Sequence, residues 1–130
     1  VADVLTAYLI EASSRRFRYG VEDCALFALR WAALARGVAT PAVPSYRGRR
    51  QALRLAARLG GPQGLALRYF AALGLPLAEG ARRGDVALVA HGGARVFAIS
   101  TGGRWAVRAG DGVAIVDDAT PLMIGAVGHG

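Results

Sequence analysis

"GDVALVAHGGARVFAISTGGRWAVRA", Gly84 to Ala109, is where the chain changes character. Short runs rich in valine, isoleucine and aromatic residues, Val86–Ala90, Val96–Ser100 and Trp105–Arg108, are separated by "HGGA" and "GGR". Such residues suit a pleated, half-buried surface, and paired glycines suit tight hairpin turns. The spacing predicts antiparallel strands. Downstream, "GVAIVD" and "PLMIGAV" read the same way, which predicts a five-stranded antiparallel sheet with no strand before Arg82.

Upstream the apolar residues recur at helical spacing. Asp3 is placed to cap a helix over Val4–Ser13, in which Val4, Leu5, Tyr8 and Leu9 share a face. A second helix is predicted over Asp23–Arg36, with Cys24, Phe27, Ala28, Trp31 and Leu34 on one stripe and Gly37 as its stop. Glu22 and Asp23 stand where acids favour a helix N-terminus. "YG" at Tyr19-Gly20 closes the preceding connection, and "VATPAVPSYRG", Val38 to Gly48, reads as a loop. Two further helices, Arg49–Leu59 and Gln63–Leu73, flank "GGP". Helices followed by a strand meander are the α+β arrangement. Neither half can bury its apolar face alone, so residues 1–130 are read as one domain, helical over about 1–80 and a sheet over about 84–128.

With 130 residues, 54% of them hydrophobic, the chain can bury one core. Its single cysteine excludes an internal disulfide and a cysteine-based zinc cage, and suits a reducing compartment. Arginines interrupt every apolar stretch, so no membrane span is expected. The first residues lack the charged lead and apolar centre of a signal peptide, and no secretion route is expected from them. The net charge is +7, carried by sixteen arginines and no lysine, a usage that GC-rich coding explains. A basic balance favours acidic partners: nucleic acid, an anionic cell envelope or an acidic protein surface. Arg47, Arg50, Arg54 and Arg58 recur at helical spacing and form either a solvated face or a phosphate-binding one. Single-strand binders interleave aromatic residues with such arginines, and none occurs there.

Cys24 has two readings. At the first turn of a helix, unpaired N–H groups and the helix dipole stabilise a thiolate, which makes a nucleophile. The same position also lies on the apolar stripe with Phe27 and Trp31, which makes a core residue. Glu22 and Asp23 favour the second, because neighbouring negative charge raises a thiol pKa. A nucleophile also needs a base from elsewhere in the chain.

The order of elements, a cysteine-bearing helix before an antiparallel sheet opened by "GD", resembles the NlpC-type, papain-like cell-wall cysteine peptidases. "FRYGVEDCALF", Trp31, "PSYRG", "ARRGDVALV", "VFAI" and "GDGVAIV" are more similar still to phage-encoded proteins of siphophage-like tail gene clusters. The match runs from about Arg16 to Asp117 and lacks that group's terminal tryptophan. The resemblance implies a papain-like layout with Cys24 at the nucleophile position. It places the peptidase histidine at Val96, or at Arg95 with a one-residue slip, and the residue orienting it near Arg108. Neither valine nor arginine is a general base near neutral pH.

Only His91, in the turn "AHGGA", and His129, next to the C-terminal glycine, offer replacements. His91 is a weak candidate base. A metal site from His91, His129 and Asp85 lacks any shared helical or strand spacing, and no metal or cofactor is expected. Asp85 has a structural reading, in which its carboxylate bonds turn backbone or pairs with Arg82 or Arg83. The glycines of "GGR" and "GDG" are hairpin glycines, since no Gly-Lys-Ser/Thr follows them. The resemblance therefore implies a structural or assembly component of a phage tail, at the tail tip, with a degenerate cysteine-peptidase fold. Its partners would be other tail proteins, and its place the virion tail, assembled in the host cytoplasm. The alternatives are an active peptidoglycan peptidase or amidase using Cys24, and a nucleic-acid-binding module using the Arg47–Arg58 stripe.

Overall fold

Asp3 and Asp23 both stand one residue before a helix with extended backbone, and each carboxylate accepts an N–H of the first turn, from Thr6 and Leu26 at 2.9 Å. These caps set the starts of α1 (Val4–Ser13) and α2 (Cys24–Arg36), and Gly37 ends α2. The structure, a computed structural model, describes residues 3–18, 23–41 and 47–128. The expected Tyr19-Gly20 turn, Glu22, the centre of the proline loop and His129 lie outside these residues.

A helical hairpin follows, α3 (Arg49–Arg58) and α4 (Gly61–Ala72). α4 begins before the expected Gln63 because Pro62 sits in its first turn, where a missing N–H costs nothing. The two helices touch at Gly64, where a Cβ would stand 2.0 Å from the Leu59 carbonyl oxygen, so only glycine fits.

The sheet comprises β1 (Leu77–Ala78), β2 (Val86–His91), β3 (Ala94–Ser100), β4 (Trp105–Ala109), β5 (Gly112–Val116) and β6 (Thr120–Gly125). Its order is β1-β6-β2-β3-β4-β5, with every neighbour antiparallel. The fold is α+β, N-terminal helices on a C-terminal antiparallel sheet. β2 to β5 form the expected meander, and β6 returns to the free side of β2. The expectation of five strands, none before Arg82, is corrected by β1, which pairs Leu77 with Gly125 and Ala78 with Ile124. Two residues after a proline are too short to show an alternation. They become a strand because β6 offers an edge, and the Ala126 N–H donates to the Pro76 carbonyl at 2.8 Å beside it.

Strand alternation sorts the core. Val86, Leu88, Phe97, Ile99 and Ala106 face the helices, where they meet Phe27, Trp31 and Phe70. Ala87, Val89, Ala98, Trp105, Val107 and Ile124 form a second cluster on the opposite face. Phe27, 1% exposed, contributes about 1.5–3 kcal/mol by burial alone. Tyr8 fixes α1 on α2: its ring lies 5.8 Å from Phe27 and 5.6 Å from Trp31, and its hydroxyl donates to the Phe27 carbonyl at 2.7 Å.

Leu34, expected on the buried stripe, is 56% exposed. At 3.6 residues per turn it has rotated about 80° away from the line of Cys24, and Leu29, Ala32 and Ala33 are buried in its stead.

Candidate functional site

The first turn of α2 forms one wall of a cavity of about 510 Å³ between the α3–α4 hairpin and the sheet. Asp23 and Cys24 line it from α2, Ala52 and Leu53 from α3, and Leu65 and Tyr69 from α4. Arg95 and Phe97 of β3 and Arg108 of β4 line it from the sheet, and Arg49 from the start of α3. Cys24 is half-buried: it packs against the core that holds Phe27 and Trp31, as the stripe reading expects, and it also borders the cavity.

Burial pushes the Cys24 thiol above its ordinary value. The Phe97 and Ala25 N–H groups favour the thiolate, and the Asp23 carboxylate opposes it; burial outweighs the N–H groups. The thiol is neutral at neutral pH. Tyr69, buried on the opposite helix, is also pushed up, first by burial and then by Asp23.

Val96 and Arg95, the two positions to which the resemblance points, lie on opposite faces of β3. Val96 pairs with Val89 and packs with the second cluster, although it reaches the cavity's edge. The residues of β3 on the helix side are Arg95 and Phe97, since Phe97 pairs with Leu88 in the first cluster. A one-residue slip exchanges the two faces of a strand, so a sequence match in this region is good to one residue only.

Arg108, expected at the orienting position, does line the cavity and is 7% exposed. Its terminal nitrogens donate to the carbonyls of Ala12 and Arg15, at the end of α1, and its Nε–H has no acceptor among the described residues. The guanidinium thus closes the C-terminal end of a helix, a favourable place for a cation. It orients no imidazole.

His91 ends β2 with Nδ1 3.2 Å from Asp118 Oδ1, and it is not among the residues lining the cavity. The structure does not group it with Cys24. No three histidine, cysteine, aspartate or glutamate side chains among the described residues could hold a metal. No helix among them is long and apolar enough to cross a membrane. Arg50, Arg54 and Arg58 are exposed along α3, and Arg47 precedes it, its N–H donating to Gln51 Oε1 at 2.8 Å.

"GD" is a structural junction. Gly84, at φ 95°, turns the chain so that its carbonyl accepts the Trp31 indole N–H at 2.7 Å. Asp85, 2% exposed, accepts the Arg82 N–H at 2.8 Å and the Val127 N–H at 3.0 Å. This is the expected bond to turn backbone. Arg83 turns elsewhere: it grips the Asp3 carboxylate at 2.8 and 3.0 Å and holds it well below the usual carboxylate range.

The model of a family described as a domain of unknown function (DUF6950) matches residues 1–123, every helix and most of the sheet. The chain belongs to the DUF6950 family. No curated protein and no solved structure matches it. In this DUF6950 domain, Arg49 and Tyr69 are among the cavity residues that the sequence did not single out. Both look like ordinary helix residues, and only the fold of the hairpin over α2 brings them to Cys24.

Proposed function

We propose that this domain keeps the layout of a cysteine peptidase for binding and not for hydrolysis, as a structural or assembly component of a phage or phage-like tail, at the tail tip. One observation carries the non-hydrolytic part: the sheet residues that line the Cys24 cavity include Arg95, Phe97 and Arg108, and none is a base. Without one, a thiol whose pKa burial has raised loses general-base assistance, roughly two to four orders of magnitude in rate. The tail assignment rests on the pattern from "FRYGVEDCALF" through "GDGVAIV", with other tail proteins as partners and the virion tail, assembled in the host cytoplasm, as location.

The competing reading, an active peptidoglycan peptidase or amidase, is favoured by the opening of Cys24 into a cavity at a helix N-terminus. Two assays separate them. The purified domain is expected to leave cell-wall stem peptides intact. Particles carrying Cys24→Ser are expected to remain infectious, while loss of the gene yields particles without a tail or tip. Cleavage by the wild-type chain that Cys24→Ser abolishes would establish the peptidase reading in place of this one.

A further inference from the structure

The cavity is apolar in its walls and basic in its fittings. Ala52, Leu53, Leu65 and Phe97 line it, and three arginines, Arg49, Arg95 and Arg108, stand around it. Asp23, the carboxylate among the described residues that line it, is already used as the cap of α2, accepting the Leu26 N–H. No carboxylate among the described residues pairs with Arg108, whose charge is nearly buried. Arg95 is held in place by donating to Gln63 Oε1 of α4 at 3.0 Å, a bond that spans from the sheet to the hairpin. Outside the cavity, Arg50, Arg54 and Arg58 extend the positive field along the exposed face of α3.

We infer that the cavity between the α3–α4 hairpin and β3 seats an acidic peptide segment of a partner protein, one bulky apolar side chain inside and flanking carboxylates on Arg49 and Arg95. The inference rests on the binding reading above and names its partner's chemistry. A volume of about 510 Å³ lies within the ordinary range of ligand pockets and admits a large side chain. Apolar walls supply the gain from burial. Arginines supply charge-assisted hydrogen bonds to carboxylates, and a fixed guanidinium loses little freedom on binding. Nucleic acid fits less well, because its anionic groups would meet the arginines while the apolar space stayed unfilled.

The test is selection of a displayed random dodecapeptide library on the wild-type domain, with counter-selection on Ala52→Trp, which fills the cavity from a half-buried position on α3. Circular dichroism checks that the variants are folded. The expected consensus is a Leu, Phe or Trp beside Asp or Glu. A synthetic peptide of that consensus, followed by fluorescence anisotropy, should bind about tenfold more weakly to Arg95→Ala, and at least that much more weakly to Arg95→Glu. It should lose measurable binding to Ala52→Trp. No consensus, a consensus without acidic residues, or equal binding to Ala52→Trp would overturn the inference. Duplex DNA binding that Ala52→Trp leaves unchanged and that displaces the peptide would overturn it too. The two readings fail separately: a bound peptide that is cleaved in a Cys24-dependent way refutes the non-hydrolytic role and keeps the site, whereas intact, unbound peptides refute the site alone.

Discussion

Cys24 and Trp31 lie two turns apart on α2, and the chain treats them in opposite ways. Around Trp31 the polar groups are used up: its indole N–H serves Gly84, and Asp85 next to it ties the Arg82 turn to Val127 beyond β6. Around Cys24 the helix opens on a cavity bordered by Arg49, Arg95 and Arg108, and Arg108 Nε–H has no acceptor among the described residues. A junction with every donor satisfied resists change, because each lost partner strands a buried group. A cavity surrenders packing energy, and a site that holds one open is spending stability on room for something else. One end of α2 is tied to the sheet through Gly84, and the other end borders a cavity.

The sharpest way to break this contrast is Asp85→Ala. It leaves the Arg82 and Val127 N–H groups without acceptors, and urea unfolding should show a loss of about 3 kcal/mol. Asp85→Asn, which keeps one acceptor oxygen, should lose less. Trp31→Phe comes next, at about 2 kcal/mol in the same measurement, because it removes the bond to Gly84 and part of a packed ring. Gly64→Ala probes the cavity side: its Cβ pushes α3 away from α4, with an expected cost of about 1–2 kcal/mol and weaker binding of the selected peptide. The smallest effect is expected from Cys24→Ala, within about 1 kcal/mol. A cost as large as that of Asp85→Ala would erase the distinction between the two ends of the helix.

Cys24 also gives the contrast a pH dependence. Its folded pKa is raised above the unfolded value, so the neutral thiol's contribution is full below about 8.5 and is lost as pH rises through the folded value. Stability of the wild-type chain should therefore fall on the alkaline side, and Cys24→Ala should flatten that fall. Iodoacetamide at neutral pH should label the native thiol slowly and the denatured one quickly. Fast native labelling would mean a lowered pKa and would favour the peptidase reading.

The residues that could be read in advance are those whose role is local. Asp3 and Asp23 as caps, Gly37 as stop and the alternation in Val86–Ser100 follow from backbone geometry within a few positions, so the α+β order was legible. Cys24, Arg95 and Arg108 could be nominated as companions only through a resemblance, and only to within one residue on β3.

What the sequence by itself determined is the kind of the four helices and of β2 to β6, and the starts that side-chain caps mark, because capping, helical period and strand alternation act between near neighbours. Tertiary structure alone decided that β1 exists, that the Arg95–Phe97 face of β3 and not the Val96–Ala98 face meets the helices, and that Arg49, Arg95 and Arg108 border one cavity with Cys24. Those facts depend on which strand supplies an edge, on a register good to a single residue, and on where a helical hairpin comes to rest. No short-range pattern carries that information, because the contacts that fix it join residues far apart in the chain.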